Sequence, residues 1–553
     1  MQITSFRDRL TSAVQQGRPS RPPKLSLAIG MAVISAVLVA ATLPPLALEG
    51  FIWVGLVPLF LTVWRKSPGR RAMAKAFMLG WVWGLTFFLL TLHWLGNVTW
   101  LGTVAVCMYL ALYPAIGTWL VAMVNPWKRS DRPFRGSRVN LLIALFCAAV
   151  WLSQEWLRST IFSGFPWNTL GVGLASSPIM IQAADSIGAL GLSFPLVFIN
   201  VIIALSLRRF HEEAKIGKIR AHFDATLTVA LLATWFFYGI HTLGQQDDEK
   251  VTMSVALVQP NTSLEERRSP KPEDQQALLE HLKRLSEVAA TQNPDLMVWP
   301  ESAAPGGFLV HRKIYDFHME IAGLGDFDFV FGSFDADASG EYNAAGIINK
   351  NQDFQVYHKI RLVPFGEYVP FRESFPLFAA IVGDLLPEDF TPGRELTLFE
   401  LSNALQAAPL ICFEDTISGL ARRFSREGAE LLINMTNDAW FLQSIGSTQH
   451  LHNAMFRAVE TRRPLIRAAN TGVTAVIDPW GRTHIFESGG STFIEGVFAT
   501  QIEVSPNPAQ TLYVLWGDWF VWVSLGLALV IGVGLKRRRL KDLDPQWEKP
   551  PGA

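Results

Sequence analysis

Hydrophobic and polar positions divide the chain into a part of long apolar runs and a part in which apolar and polar residues alternate. The long apolar runs dominate residues 25–243 and return once near the C-terminal end. A run of about 16–25 apolar residues can cross a bilayer core as a helix. The pattern therefore predicts eight membrane spans. They lie near residues 25–44, 51–65, 76–96, 101–124, 139–156, 189–207, 224–243 and 513–535.

Lysine and arginine residues outside these spans indicate their orientation. Basic clusters precede the first span, follow the second, separate the fourth from the fifth and the sixth from the seventh, and follow the eighth. If there are eight spans, all five clusters fall on one side of the membrane. Basic loops favour the cytoplasmic side, so both termini are predicted to be cytoplasmic.

The spans also set the predicted domain boundaries. The alternating region between the seventh and eighth spans is expected to face the outside of the cell. The predicted parts are a cytoplasmic N-terminal tail at 1–24, a seven-span membrane domain at 25–243, an extracytoplasmic domain at 244–512, the eighth span at 513–535 and a cytoplasmic C-terminal tail at 536–553.

Composition agrees with a membrane protein. Of the 553 residues, 50% are hydrophobic and only 17% are charged, with a net charge of zero. Nothing in this balance indicates a nucleic-acid partner. Two of the three cysteines, Cys107 and Cys147, fall inside predicted spans, so no disulfide framework is expected. No cleaved signal peptide is expected, because the first apolar run starts only near residue 25 and no small-residue cleavage site follows it closely.

Short β-rich runs alternate with amphipathic helices in the region after residue 250. Residues 273–291 place leucines at helical spacing, whereas VTMSVALVQ, DLMVW, ELLINM and PLIRAAN are typical of strands. This alternation predicts an α/β sandwich built on one or two sheets. Residues 371–392 form a long apolar loop. The loop is either a lid or membrane-contacting arm, or a loop packed on its own domain.

Three residues with complementary chemistry each follow a strand-like run. Glu301 ends DLMVWPE, Lys359 follows VYH, and Cys412 follows APLI. Such residues can converge on one pocket of an α/β fold. Cys412 could attack a carbonyl as a thiolate, Glu301 could take its proton, and Lys359 could hold the resulting oxyanion with the N–H of Phe413. The trio is suited to acyl transfer through a thioester, although each residue taken alone could be a buried filler or a surface group.

The surrounding motifs resemble a known superfamily. WPE, HK-x-x-LVPFGEYVP and ICFE occur in the order of the Glu–Lys–Cys triad of the nitrilase superfamily. The longer strings YHKIRLVPFGEYVPFR, NDAWF and GVTAVIDPWG are similar to those of one branch, the bacterial apolipoprotein N-acyltransferases. In the membrane half, EWLRSTIFSGFPWNTLG resembles the external-loop signature of the same family.

The resemblance implies a fold and a set of site residues. The fold would be a polytopic α-helical membrane domain with eight spans, joined to a nitrilase-like α-β-β-α sandwich. Glu301 would be the general base, Lys359 the oxyanion stabiliser and Cys412 the nucleophile, with Glu367 and Glu414 in support. The loop would supply lid or lipid-contact residues. The candidates are Phe375, Phe378, Ile381 and Leu385.

This sequence departs from the family pattern in two places. Phe413 stands where the family often has tyrosine, which removes a hydroxyl but keeps a ring and a backbone N–H. No tryptophan follows the segment 259–261, where the family often has one. This region is therefore expected to contact the lipid substrate differently.

The resemblance also implies a reaction. A membrane phospholipid would acylate Cys412, and the amine of an S-diacylglyceryl-cysteine at an apolipoprotein N-terminus would accept the acyl chain. The reaction would take place at the bacterial inner membrane without a cofactor or metal. Alternatives are a membrane-tethered amidase with water as acceptor, and a transporter-like protein without chemistry. His450 and His452 form an H-x-H pair for which a structural or hydrogen-bonding role is expected, because no further ligand set accompanies them.

Overall fold

The first part of the molecule is helical. The structure is a computed structural model that describes residues 25–64, 70–124, 136–216, 221–245, 249–370, 372 and 389–543. The helices of the first part are α1 (Leu25–Ala40), α2 (Val57–Val63), α3 (Arg70–Leu92), α4 (Trp100–Leu110), α5 (Leu112–Met123), α6 (Ser137–Thr160), α7 (Pro178–Ile181), α8 (Ala184–Gly191), α9 (Ser193–Ile216) and α10 (Phe223–Leu243).

Among the described residues, five helical segments are long and apolar enough to cross a membrane. They are Arg70–Asn97, Trp100–Met123, Ser137–Ser163, Ser193–His211 and Phe223–Leu243. Three shorter apolar helices coincide with the other predicted spans. They are Leu25–Ala40, Glu49–Val63 and Trp519–Gly534. The prediction of a polytopic membrane domain is confirmed, whereas the count of eight stays a prediction, since a helix of 10–17 residues is short for a bilayer core of about 30 Å.

The second predicted span is interrupted rather than continuous. A 3₁₀ helix at Glu49–Trp53 precedes α2, and the turn between them leaves backbone groups without helical partners. Such groups are costly inside a bilayer. Asn200 on α9 compensates: its Nδ2 donates to the Ile52 carbonyl at 2.9 Å, and its Oδ1 accepts from the Leu56 N–H at 2.9 Å.

The second part is a sandwich of two six-stranded sheets. The first sheet has the order β12-β1-β2-β3-β4-β5 and the second the order β11-β10-β9-β8-β7-β6. In each sheet three neighbouring strands are parallel, β1 to β3 and β7 to β9, and the other pairs are antiparallel. The strands are β1 (Val251–Gln259), β2 (Leu296–Val298), β3 (Asp328–Asp337), β4 (Gly340–Ile348), β5 (Phe354–His358), β6 (Phe399–Glu400), β7 (Gln406–Ile411), β8 (Leu431–Thr436), β9 (Leu465–Ala469), β10 (Ala475–Ile477), β11 (Thr483–Ile485) and β12 (Gly496–Val504).

Helices cover both outer faces of the sandwich. The helices of this part are α11 (Leu264–Arg268), α12 (Pro272–Ala290), α13 (Arg312–Ala322), α14 (Ser418–Arg426), α15 (Gly446–Thr461) and α16 (Leu512–Trp516). The last helix, α17 (Trp519–Leu543), packs against α6 and α8 of the membrane part. Leu278, Leu282 and Leu285 of α12 pack with residues of β1 to β3 in one core cluster. On the other face, α14 and α15 contact the second sheet, and α15 also contacts α8 of the membrane part. The predicted α-β-β-α sandwich is therefore confirmed, with two sheets.

The sequence patterns located these elements closely. The predicted strands VTMSVALVQ, DLMVW, ELLINM and PLIRAAN correspond to β1, β2, β8 and β9, and the predicted helix at 273–291 is α12. Most of the apolar loop at 371–392 lies outside the described residues, and so do the four lid candidates. They are Phe375, Phe378, Ile381 and Leu385. At the two ends of the loop, Arg372 and Asp389 form an ion pair of 2.7 Å.

Candidate active site

The three candidate catalytic residues follow three different strands. Glu301 comes three residues after the last residue of β2, Val298, and Lys359 directly follows β5 in the same sheet. Cys412 directly follows β7 in the opposite sheet. Because chain segments leaving the carboxyl ends of strands gather at one edge of a sheet, the sandwich can bring a carboxylate, an ammonium group and a thiol together.

Lys359 is fixed between two carboxylates. Its Nζ lies 2.8 Å from Glu367 Oε1 and 3.5 Å from Glu301 Oε1, and its side chain is 1% exposed. Burial by itself would lower the pKa of Lys359, but the charges of Glu367 and Glu301 outweigh it and raise this pKa above its usual range. The two carboxylates therefore favour the charged form of Lys359, which can stabilise negative charge.

Asn343 joins the same cluster, although no sequence motif marks it. Its Nδ2 donates to Glu301 Oε1 at 2.8 Å and to Glu367 Oε1 at 2.6 Å. Within the described part of the chain, no hydrogen bond reaches the second oxygen of Glu301, Oε2. One oxygen of Glu301 is thus held in place, and the other is available to accept a proton.

Cys412 lies at a sharp change of chain direction. Its backbone φ is +50°, in the left-handed region that is strained for a residue with a side chain. Asn434 Nδ2 donates to the Cys412 carbonyl at 3.1 Å and helps to hold this conformation. Burial and the nearby charge of Glu301 raise the pKa of the Cys412 thiol well above its usual range, and the positive charge of Lys359 opposes that rise. The resting thiol is therefore protonated and needs a base.

Glu414 links the segments that carry Lys359 and Cys412. One of its oxygens accepts from the Tyr357 hydroxyl at 2.9 Å and from the N–H groups of Ile360 and Arg361 at 2.8 and 2.9 Å. Its other oxygen accepts from the Ile411 N–H at 2.9 Å. Glu414 is fully buried. With four donors directed at it, Glu414 is placed to hold the segments that carry Lys359 and Cys412 together, and burial raises its pKa to about 7.

Glu367 and Phe413 complete the predicted set. Glu367 accepts from the Val363 N–H at 2.7 Å as well as from Lys359, so it shapes the loop that carries it. The next residue, Tyr368, makes a hydroxyl–hydroxyl contact with Ser163 of the membrane part. Phe413 is half-buried against the large core cluster. The structure thus places all six residues near one end of the sandwich.

The H-x-H pair divides into two different environments. His450 lies within hydrogen-bonding distance of two aspartates, Asp415 and Asp438. His452 is partly exposed, and desolvation of its ring lowers its pKa to about 4. Among the described residues, no group of three or more His, Cys, Asp or Glu side chains is placed to hold a metal ion.

Two family models match the chain. The apolipoprotein N-acyltransferase N-terminal domain matches residues 35–202, and the carbon-nitrogen hydrolase family matches residues 254–505. The helical first part and the sandwich therefore define a membrane-bound member of the carbon-nitrogen hydrolase class. Among solved structures, a mutant of an amidase of the nitrilase superfamily from Nesterenkonia AN1 is 19% identical, with a TM-score of 0.34, and the match covers 48% of this chain and 93% of that one.

Curated relatives specify the branch. An apolipoprotein N-acyltransferase from Geobacter metallireducens is 32% identical, over 92% of this chain and 96% of its own length. One from Allorhizobium ampelinum is 32% identical, over 86% of this chain and 90% of its own length. The chain belongs to the apolipoprotein N-acyltransferase family, as the motifs predicted, and is an acyltransferase.

Proposed function

We propose that this protein moves an acyl chain from a membrane phospholipid, through a thioester on Cys412, to the N-terminal amine of S-diacylglyceryl-cysteine in apolipoproteins. The observation that carries the proposal is the buried cluster of Glu301, Lys359 and Glu367, in which the charges of Glu301 and Lys359 act on the Cys412 thiol. Family membership supports the choice of substrates. The product would be the mature, triacylated lipoprotein.

In the first half-reaction, Glu301 takes the thiol proton as the sulfur attacks the ester carbonyl of the phospholipid. A C–S bond forms, and the carbonyl oxygen becomes an oxyanion. The ammonium group of Lys359 and the N–H of Phe413 stabilise that oxyanion. The ester C–O bond then breaks, and Glu301 returns the proton to the departing lysophospholipid.

In the second half-reaction, the free amine of the apolipoprotein attacks the thioester. Glu301, again ionised, takes a proton from the attacking amine, and Lys359 stabilises the second oxyanion. The C–S bond breaks, an amide forms, and the proton passes from Glu301 to the sulfur of Cys412. The cycle is a ping-pong scheme in which one carboxylate serves as base and acid in each half.

The membrane helices support transfer over hydrolysis. A membrane-tethered amidase could use the same three residues with water as acceptor, but a soluble amide substrate gives no reason for a lipid-embedded part. We infer a location in the bacterial inner membrane, with both termini cytoplasmic and the sandwich extracytoplasmic. The basic clusters on one side of the predicted spans support this orientation. The apolar loop is the proposed lipid-contacting arm, and its sequence supports that role.

The test is reconstitution in vesicles with a phospholipid labelled in its acyl chain. Without acceptor, the label should accumulate on the Cys412 peptide, and adding a diacylglyceryl-cysteine peptide should release it as N-acylated peptide, identified by mass spectrometry. The Cys412→Ala variant should do neither, whereas Cys107→Ala should behave as the wild type. Labelled acyl-enzyme in Cys412→Ala would refute the nucleophile. Release as free fatty acid at equal rates with and without acceptor would favour the amidase.

A further inference from the structure

Four buried charged side chains form a cluster beside the nucleophile segment. Asp415 lies three residues after Cys412, Asp438 follows β8, His450 is on α15 and Arg467 is on β9. Each is at most 1% exposed. Burying four ionisable groups is costly unless they neutralise one another. The proposed chemistry uses none of them, so their presence calls for another explanation.

The cluster brings two basic and two acidic side chains together, and Arg467 Nη2 also lies 2.9 Å from His450 Nδ1. His450 lies between the two aspartates, with Nδ1 2.9 Å from Asp438 Oδ1 and Nε2 2.9 Å from Asp415 Oδ1. Arg467 contacts the other oxygen of each, at 2.5 Å for Asp415 and 3.0 Å for Asp438. His450 Nε2 and Asp415 Oδ1 are close enough for a hydrogen bond but do not have its geometry, so their interaction is mainly electrostatic.

This arrangement favours a charged imidazole. Burial and Arg467 would lower the pKa of His450, but Asp415 and Asp438 outweigh them and raise it above its usual value. The two flanking carboxylates therefore favour the protonated, imidazolium form of His450. Two carboxylates then face two cations, and the formal charges cancel. A neutral His450 would leave one uncompensated negative charge in the cluster.

The cluster is connected to Cys412 in two ways. Arg467 donates to Asn434 Oδ1 at 2.8 Å, and Asn434 in turn donates to the Cys412 carbonyl. Thr436, whose hydroxyl lies near the Cys412 thiol, donates to Asp438 Oδ1 at 3.3 Å. The charges of Asp438 and Arg467 act on the thiol directly, alongside those of Glu301 and Lys359.

The membrane part covers this cluster. The Trp167 ring, in the loop between α6 and α7, lies 5.2 Å from the His450 ring. The Trp167 Nε1–H donates to Gln449, the residue before His450, at 3.0 Å. On α15 itself the nearest ion pair is Arg457 with Glu460, at 2.8 Å. From the membrane side, His450 is thus faced by an aromatic ring rather than by an opposing charge.

We propose that His450 is a positioning residue for acyl transfer: as an imidazolium covered by Trp167, it balances Asp415 and Asp438 and so limits the negative charge that opposes ionisation of Cys412. This inference rests on Cys412 being the nucleophile proposed above. His450 does not touch the reacting atoms. Its effect reaches the thiol through Asp438 and Arg467.

The test is the pH dependence of Cys412 alkylation by iodoacetamide in the full-length protein. The modified Cys412 peptide is quantified by mass spectrometry. His450→Gln leaves excess negative charge, so its alkylation curve should shift to higher pH and alkylation at neutral pH should slow by about tenfold. His452→Gln is the matched control: it removes a neutral histidine from the same helix and should leave the curve in place.

A second variant with the opposite change of charge allows the proposal to be tested even if one variant folds poorly. Asp415→Asn leaves excess positive charge and should shift the curve to lower pH. The double variant His450→Gln/Asp415→Asn should return toward the wild-type curve, because the remaining charges of Asp438 and Arg467 cancel. If His450 had a purely structural role, the alkylation curve of the double variant would depart furthest from the wild-type curve among the three variants. That outcome, or shifts of equal sign in both single variants, would overturn the proposal.

Trp167 offers a separate check of the membrane contribution. Trp167→Ala exposes the His450 ring to water and should shift the alkylation curve toward that of His450→Gln, whereas Trp167→Phe should keep it in place. Equal curves for the two Trp167 variants would remove Trp167 from the proposal. If the wild-type protein still transferred acyl chains after alkylation of Cys412, the proposed function would be refuted. The alkylation curves of the variants would still test the role of His450.

Discussion

At the scale of single residues, the site separates its three chemical roles by environment. Burial and a neighbouring carboxylate keep the Cys412 thiol protonated, and two carboxylates keep Lys359 charged. Glu301 is held through one oxygen by Asn343 and Lys359. The proposed nucleophile and the proposed oxyanion-stabilising lysine therefore have defined charge states before substrate arrives, and the proposed base is held in position. Such preorganisation is what stabilises developing charge without reorganisation during reaction.

The role of Lys359 can be tested by the rate of the first half-reaction. Lys359→Ala removes one of two proposed oxyanion donors, which typically costs on the order of 10²–10³ in rate. We therefore expect acylation of Cys412 by labelled phospholipid to slow by about that factor. Lys283→Ala is the control, because Lys283 pairs with Glu320 on the exposed surface. Wild-type acylation in Lys359→Ala would exclude Lys359 from the mechanism.

At the scale of elements, the helices and strands that the sequence predicted follow from local patterns. The site residues that it missed are brought into place by pairing between strands. The leucine spacing of α12 and the apolar run of β1 are local, so the sequence revealed both. Asn343 lies in EYNAAGII, where no motif marks it. It reaches the site because β4 pairs with β3 in a register that places it opposite Phe334. The cluster around His450 likewise joins four segments that only the folded sheets bring together.

Burial on the other face of the sandwich gives a pH prediction. His318 of α13 is fully buried among Trp299, Phe329 and Phe331, and its Nδ1–H donates to the Ile314 carbonyl at 2.8 Å. Burial lowers the pKa of His318 to about 4. A histidine with a lowered folded pKa keeps its full stability above its unfolded pKa of about 6.5 and loses stability as pH falls from there toward 4.

The acid sensitivity of the sandwich should therefore fall when this histidine is replaced. His318→Leu should lose less unfolding free energy than the wild type between pH 6.5 and 4, by up to about 3 kcal/mol. Some sensitivity should remain, because the pKa of His452 is lowered in the same way. Thermal unfolding in detergent across this pH range measures the difference. Parallel pH curves for wild type and His318→Leu, with His484→Gln as an exposed control, would contradict it.

At the scale of the whole molecule, α15 joins the chemistry to the membrane. Near its N-terminal end, Gln449 bonds three side chains of the membrane part. Near its C-terminal end, Glu460 accepts from the Ala189 N–H at 2.8 Å and Arg462 pairs with Asp185 at 2.6 Å. The same helix contacts β9 and carries His450. The membrane part and the sandwich thus both contact one helix. Movement of either part would therefore be transmitted through α15 to the surroundings of Cys412.

Gln449 provides the sharpest test of this connection. Its Oε1 accepts from Trp94 Nε1, Trp167 Nε1 and Asn168 Nδ2 at 3.0–3.1 Å, and its Nε2 donates to the Thr91 carbonyl at 3.0 Å. Gln449→Leu would leave all four partners buried and unsatisfied, at about 1–3 kcal/mol for each group. We expect the melting temperature to fall by several degrees and proteolysis between α10 and β1 to accelerate, whereas Gln292→Leu on the exposed surface should change neither. Unchanged melting and unchanged cleavage in Gln449→Leu would mean that the contacts of Glu460 and Arg462 alone hold the two parts together, and that the N-terminal end of α15 merely rests against the membrane helices.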